Sequence, residues 1–263
     1  MIGKAKIVRR ASPIGNGAHV FVPKEWAGNE IVLTKKPVKP VNERVLEALG
    51  PYLKEIEGVY LFGSYVRGEE RENSDIDLFI ISDRKINVKE NGFSVICINE
   101  SKFESALKIA PILIYSMLSE AKPIINGRLL ERLREKYKPN LRDFRKFLLE
   151  NEGVGKINEG LIEEDSEYTK NTASVYSLIL RLRGMFIIYC LLLNKQYSYK
   201  SFKKWIRSNI KGLDFDKLYS VYLDVKVNKE RDISLKTNDL IKLLDFLNKE
   251  TELLKSGKKK QET

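Results

Sequence analysis

One stretch, residues 59–81, constrains this chain more than any other. It reads Val-Tyr-Leu-Phe-Gly-Ser-Tyr-Val-Arg-Gly-Glu-Glu-Arg-Glu-Asn-Ser-Asp-Ile-Asp-Leu-Phe-Ile-Ile. The apolar run 58–62 ends in Gly63-Ser64, and after ten intervening residues Asp75-Ile76-Asp77 opens a second apolar run, 76–81. The expected order is strand, turn, helix, strand. A strand that ends in Gly-Ser brings backbone N–H groups, a hydroxyl and a helix start to one place, and these are good phosphate ligands. In extended chain, residues i and i+2 project from the same face. Asp75 and Asp77 therefore aim together at one divalent cation, and their hard oxygens suit Mg²⁺. Phosphates and metal then meet between the ends of neighbouring strands, as an in-line phosphoryl displacement requires. Gly-Ser and Asp-x-Asp are each common in turns and solvated loops. Specificity lies in their combination at this spacing, with apolar runs on both sides and Arg67-Gly68 in the intervening turn.

Gly63-Ser64-x10-Asp75-x-Asp77 resembles the signature of the DNA polymerase beta-like nucleotidyltransferase superfamily, in the flavour of its minimal and antibiotic nucleotidyltransferases. The resemblance covers about residues 42–138. It implies an α+β fold, with a mixed sheet flanked by helices, an NTP donor and Mg²⁺ (or Mn²⁺) as cofactor. Gly63, Ser64, Ser74 and Arg67 would serve the nucleotide, while Asp75 and Asp77 would hold metal and carry catalysis. The implied reaction moves a nucleoside monophosphate from Mg-NTP to an acceptor hydroxyl on a protein, a tRNA or a small molecule, releasing pyrophosphate. Active members place a third carboxylate on the following strand, where it binds metal and acts as base. The run 93–98, Phe-Ser-Val-Ile-Cys-Ile, has no acid, and strand register puts Ser94 at that place. Glu90, Glu100 and Glu104 flank it. Nucleotide and one metal are expected to bind, and turnover requires a base from elsewhere.

The charge balance is +11, and residues 1–40 carry +6 of it, which favours a polyanionic partner. In residues 1–36, strands are expected at 6–9, 19–22 and 30–33, with a turn at 13–17. Gly15-Asn16-Gly17, the apolar strand after it and Pro23-Lys24-Glu25 resemble the AbrB-like swapped-hairpin domains. That resemblance implies a homodimer with Arg9, Arg10 and Lys24 on DNA phosphates. From it comes the alternative function: a dimeric DNA-binding regulator or antitoxin-like protein whose transferase core binds nucleotide without turnover. Residues 37–41, with Pro37 and Pro40, read as a stiff linker. His19, the single histidine, is expected to pack or to support the turn.

Residues 42–139 form the expected nucleotidyltransferase domain, with helical spacing at 42–56 (broken at Gly50-Pro51), 101–117 (broken at Pro111) and 129–137. Residues 140–254 read as a bundle of five helices at 141–150, 168–193, 199–209, 214–228 and 237–254, and 255–263 as a disordered tail. The bundle resembles HEPN-like helical domains, although no second histidine exists to complete their Arg-x4–6-His ribonuclease motif. Arg181 and Arg183 fall within an apolar helix, where unpaired burial is costly. Acids at 163–165, a cleft or a phosphate should meet them. The longest apolar runs, 185–193 and 109–118, are shorter than a bilayer span. Cys97 and Cys190 read as buried free thiols of a reducing compartment, and no leader pattern opens the chain, so a cytoplasmic location is expected.

Overall fold

Runs such as 78–81, apolar at every position, need cover on both faces. In the computed structural model that cover comes from helices on either side of a four-stranded sheet. Residues 7–9, 11–34, 39–71, 74–88, 90–163, 167–229 and 232–257 are described. The chain divides into two compact units, Met1–Pro40 and Val41–Thr263.

The first unit is a short antiparallel hairpin, β1 (Ser12–Ile14) and β2 (Gly17–His19), followed by a 3-10 turn at Lys24–Trp26. Gly15, at φ 52°, supplies the left-handed residue of the hairpin turn. The expected strands at 19–22 and 30–33 do not form, and residues 7–9 are irregular. Only segments joined by the tight turn find a partner, because a strand needs a ladder to satisfy its backbone. Arg9 and Lys24 are exposed on this unit, and Arg10 lies outside the described residues. The His19 ring meets Phe21 edge-on at 4.8 Å.

The second unit opens with α1 (Val41–Leu49), stopped by the 3-10 turn Gly50–Tyr52 as Gly50-Pro51 requires. Then follow β3 (Ile56–Phe62), the one-turn helix α2 (Ser64–Arg67), β4 (Ile76–Ser82) and β5 (Phe93–Ile98). Pro111 separates α3 (Phe103–Ile109) from α4 (Pro111–Glu120). Next come β6 (Lys122–Ile125) and α5 (Gly127–Lys136). The sheet order is β5-β4-β3-β6, mixed: β3 is antiparallel to both β4 and β6, and β4 is parallel to β5. No sequence pattern marks β6, a four-residue piece containing Pro123; an edge strand tolerates the missing N–H.

The sheet sorts its side chains by parity. Val59, Leu61, Ile76, Leu78 and Ile80 face Val45 and Leu49 of α1. Tyr60, Phe62, Phe79 and Ile81 face the other way, into a core that runs on through α3–α5 and the helices beyond. Those are α6 (Arg145–Glu163), α7 (Thr172–Leu192), α8 (Tyr199–Asn209), α9 (Phe215–Lys226) and α10 (Thr237–Lys255), with a small pair of strands, β7 (Tyr168–Thr169) and β8 (Leu235–Lys236), beside them. The five helices share one hydrophobic core with the sheet. Lys255, expected in the tail, is the last residue of α10, while 258–263 lie outside the described residues.

Helix α7 is long and apolar enough, by length and composition, to cross a membrane, which a reading of single apolar runs misses. Here it is the bundle's inner helix, and ten of its residues are buried. Gly184 sits where a Cβ would come within 2.5 Å of Phe147 Cζ, so α7 and α6 pack at glycine distance.

Candidate active site

Phe62, the last residue of β3, stands opposite Asp77 of β4, which in turn stands opposite Ser94 of β5. Gly63, next after Phe62, has φ 79°, and a Cβ there would strike Asp77 Oδ2. The turn and the carboxylate are thus in direct apposition, and only glycine allows it. Ser64 opens α2, whose first N–H groups have no preceding turn to serve as acceptor. Gly68, left-handed at φ 66°, closes the helix.

Asp75 is exposed just ahead of β4, and Asp77 is half-buried two residues on. Burial pushes the Asp77 carboxyl above its ordinary value; the Ser94 hydroxyl and Arg67 pull it down, while Asp75 and Glu120 add to the rise. The register therefore places Ser94, with no carboxylate, beside Asp77. Ser74 hydrogen-bonds within its own loop, its Oγ accepting from the Arg71 N–H at 2.8 Å.

Two acids that local sequence reasoning did not single out shape the turn. Glu120, the last residue of α4, accepts from the Gly63 N–H (3.0 Å) and from Arg67 Nη1 (2.6 Å). Glu69 accepts from Arg67 Nε (2.9 Å) and from the Tyr199 N–H (2.7 Å). Arg67 is therefore no loose surface cation. It is clamped by two carboxylates, with its Cζ 5.5 Å from the Tyr197 ring centroid. The Gly63 N–H, expected to be bare for phosphate, is occupied by Glu120. An acid closing an apolar helix was the only local sign of Glu120, and nothing local ties it to a turn 57 residues away.

These groups line one wall of a cleft of about 1390 Å³. The opposite wall comes from the helical segments. Arg181 and Arg183 both reach it; of the acids at 163–165 expected to meet them, 164 and 165 lie outside the described residues. Arg181 Nη1 pairs with Glu150 at 3.2 Å. Arg183 Nε donates to the Tyr197 hydroxyl at 3.1 Å, its Cζ 5.2 Å from that ring. Tyr199 and Tyr219 meet at 4.4 Å, and Tyr219 and Tyr222 at 5.3 Å, along the same wall.

Among the described residues no group of three or more His, Cys, Asp or Glu forms a candidate metal site. Two carboxylates suit a cation whose remaining positions are filled by substrate phosphate and water, the usual arrangement for Mg²⁺. Cys97 and Cys190 are free, and Cys97 is only partly buried.

A family match covers the same segment. Residues 44–130 match the family described as Polymerase beta, Nucleotidyltransferase. Among solved structures, a nucleotidyltransferase-like protein from Exiguobacterium sibiricum is similar at 14% identity, covering 82% of this chain and 76% of its own, with a TM-score of 0.38. Spectinomycin adenyltransferase from Enterococcus faecialis, solved with ATP and spectinomycin, is similar at 14% identity, covering 80% and 96%, with a TM-score of 0.40. No curated protein matches the chain. The Gly-Ser turn, the Asp pair and the family match together identify residues 44–130 as a nucleotidyltransferase domain of the DNA polymerase beta-like superfamily.

Proposed function

We propose that this chain transfers a nucleoside monophosphate from an NTP to an acceptor hydroxyl, with Mg²⁺ or Mn²⁺ as cofactor. The observation that carries the reading is the apposition of Gly63-Ser64 and Asp77 at the ends of adjacent strands, with Asp75 beside them on the cleft wall. The residues fit a divalent ion: Asp77 is a partly buried carboxylate whose neighbours include two more acids, and a cation there relieves that repulsion. When bound, the ion neutralises the charge on the phosphates and holds them in line.

The chain's own groups bind and orient. Ser64 and the start of α2 take the donor's phosphates, with Ser74 at the edge of that site, and the clamped Arg67 keeps the turn in shape. The acceptor oxygen bonds to the α-phosphorus, the bond from that phosphorus to the bridging oxygen breaks, and pyrophosphate leaves with the electron pair. With Ser94 at the place of the third carboxylate, the hydroxyl proton passes to water in the open cleft. Transfer is then slow and rises with pH. The test is incubation of each labelled NTP and Mg²⁺ with tRNA, protein and small-molecule acceptors, beside the Asp75→Asn/Asp77→Asn variant. Label transfer by the wild type and not by the variant is expected; equal transfer by both sinks the reading.

A second reading concerns residues 7–34, and it too has an observation behind it. None of the described residues of this unit is buried, and Val8 (74%), Phe21 (76%) and Val32 (88%) are largely exposed. Such a piece is too small for a core of its own. We infer that a second copy of the chain covers these side chains, giving a homodimer that presents Arg9 and Lys24 to DNA phosphates. Light scattering of the full chain should give twice 30.4 kDa. A monomer, or no gel shift at low salt, counts against it.

A further inference from the structure

The cleft is larger than one ligand needs: about 1390 Å³, against the roughly 300–1000 Å³ of ordinary small-molecule sites. The donor accounts for the wall bearing the Asp pair. The other wall has a different chemistry. Arg183 uses Nε on Tyr197, and among the described residues no carboxylate pairs with it. Its two terminal nitrogens stay available, although the side chain is largely buried. A guanidinium in that condition is costly unless an anion completes it. Its counterpart on the Tyr197 ring, Arg67, is paired with both Glu69 and Glu120. Beside Arg183 lie the contiguous rings of Tyr199, Tyr219 and Tyr222.

The charges around the cleft point the same way. Setting aside the Asp pair, the lining acids Glu69, Glu120, Glu150 and Asp224 are engaged with Arg67, Arg181 and Lys229. Arg71, Lys108, Lys146, Arg183 and Lys226 line the cleft with no acid partner among the described residues. A polycationic acceptor would be repelled, and an anionic one drawn in. Planar rings stack on tyrosine whatever their identity.

We propose that the acceptor is a nucleoside phosphate, with its base on the Tyr199–Tyr219 rings, its phosphate on Arg183 and a ribose hydroxyl turned toward the Asp pair. This rests on the transferase reading above and names the acceptor class for it. Either a free nucleotide or the last nucleotide of a strand supplies that chemistry.

The test is metal-free binding to the full chain in EDTA, with AMP by calorimetry and a fluorescein-labelled oligoribonucleotide bearing a free 3′ hydroxyl by anisotropy. Omitting metal separates this subsite from the donor site. Wild type and Asp75→Asn/Asp77→Asn should bind alike. Arg183→Gln should weaken binding by about tenfold or more, Arg183→Lys by less, and Tyr219→Leu by about fivefold. Melting curves of each variant show that it is folded. Tighter binding of the oligonucleotide assigns a strand end, tighter binding of AMP a free nucleotide, and either supports the subsite. No metal-free binding by wild type, or binding unchanged in folded Arg183→Gln, overturns it. Binding that requires both Mg²⁺ and the Asp pair also overturns it, because the ring then belongs to the donor. Loss of Mg-NTP binding with metal-free AMP binding intact would instead sink the transferase reading alone.

Discussion

The two walls of the cleft are built in opposite ways. The wall from the sheet draws most of its groups from one short stretch, Gly63 to Asp77, aimed by the strands on either side of it and by the one-turn helix, with Glu120 added from α4. The helical wall collects single residues from α7, α8 and α9 and from the loop before α8, held by packing and by a few long-range bonds. The proposed transfer chemistry belongs to the first, and the proposed acceptor subsite to the second. The difference is physical. Metal and phosphate need fixed donors at fixed spacing, whereas an acceptor needs only a surface of the right shape and charge.

Substitutions on either wall test that contrast. The largest effect is expected from Asp75→Asn/Asp77→Asn, which should reduce nucleotidyl transfer by about a thousandfold or more in a labelled-NTP assay while leaving the tyrosine wall's ligand binding intact. Ser94→Asp places a third carboxylate opposite Asp77 and should raise the transfer rate by about ten- to a hundredfold, with a flatter pH–rate profile. If the rate stays unchanged in a folded Ser94→Asp protein, the missing base lies elsewhere. Gly63→Ala drives a Cβ into Asp77 at a left-handed position, and should cost about 1–3 kcal/mol in urea unfolding along with donor affinity.

On the helical wall, Gly184→Ala meets the Phe147 ring and should cost about 1–3 kcal/mol of stability by overpacking, without touching the Asp pair. The smallest effect concerns pH. The folded Asp77 carboxyl lies above its ordinary value because of burial, so its contribution to stability is present at low pH. That contribution is lost as pH rises through the folded value, from about pH 4 upward. Metal-free Asp77→Asn should therefore melt about 1–2 °C higher than wild type at neutral pH, the gap closing toward pH 4. A lower melting temperature for Asp77→Asn at pH 7 would show that the ionised carboxylate stabilises the turn instead.

Much of the sheet wall was legible because its information is local. The apolar runs 58–62, 76–81 and 93–98 lie within strands at nearly the same bounds, and Pro111 breaks a helix where its ring and missing N–H require. Register alone put Ser94 beside Asp77, because in paired strands one alignment fixes every other. The five helices after Asn140 could be read from spacing, although α6 runs to Glu163 and not to 150. The N-terminal strands at 19–22 and 30–33 failed for the converse reason. Their β-favouring residues have no ladder within the unit to pair with.

The motif was therefore present in the chain's order alone: a glycine, a helix start and two acids on one face, all within fifteen residues. Backbone geometry over so short a span leaves few alternatives. Only the tertiary structure decided that Glu120 would occupy the Gly63 N–H and that Glu69 would tie Arg67 to the Tyr199 backbone 130 residues on. It likewise set Arg183 Nε on the Tyr197 hydroxyl. Such pairings depend on how helices pack across a shared core, and packing is set by the summed shape of many side chains rather than by any pattern along the chain.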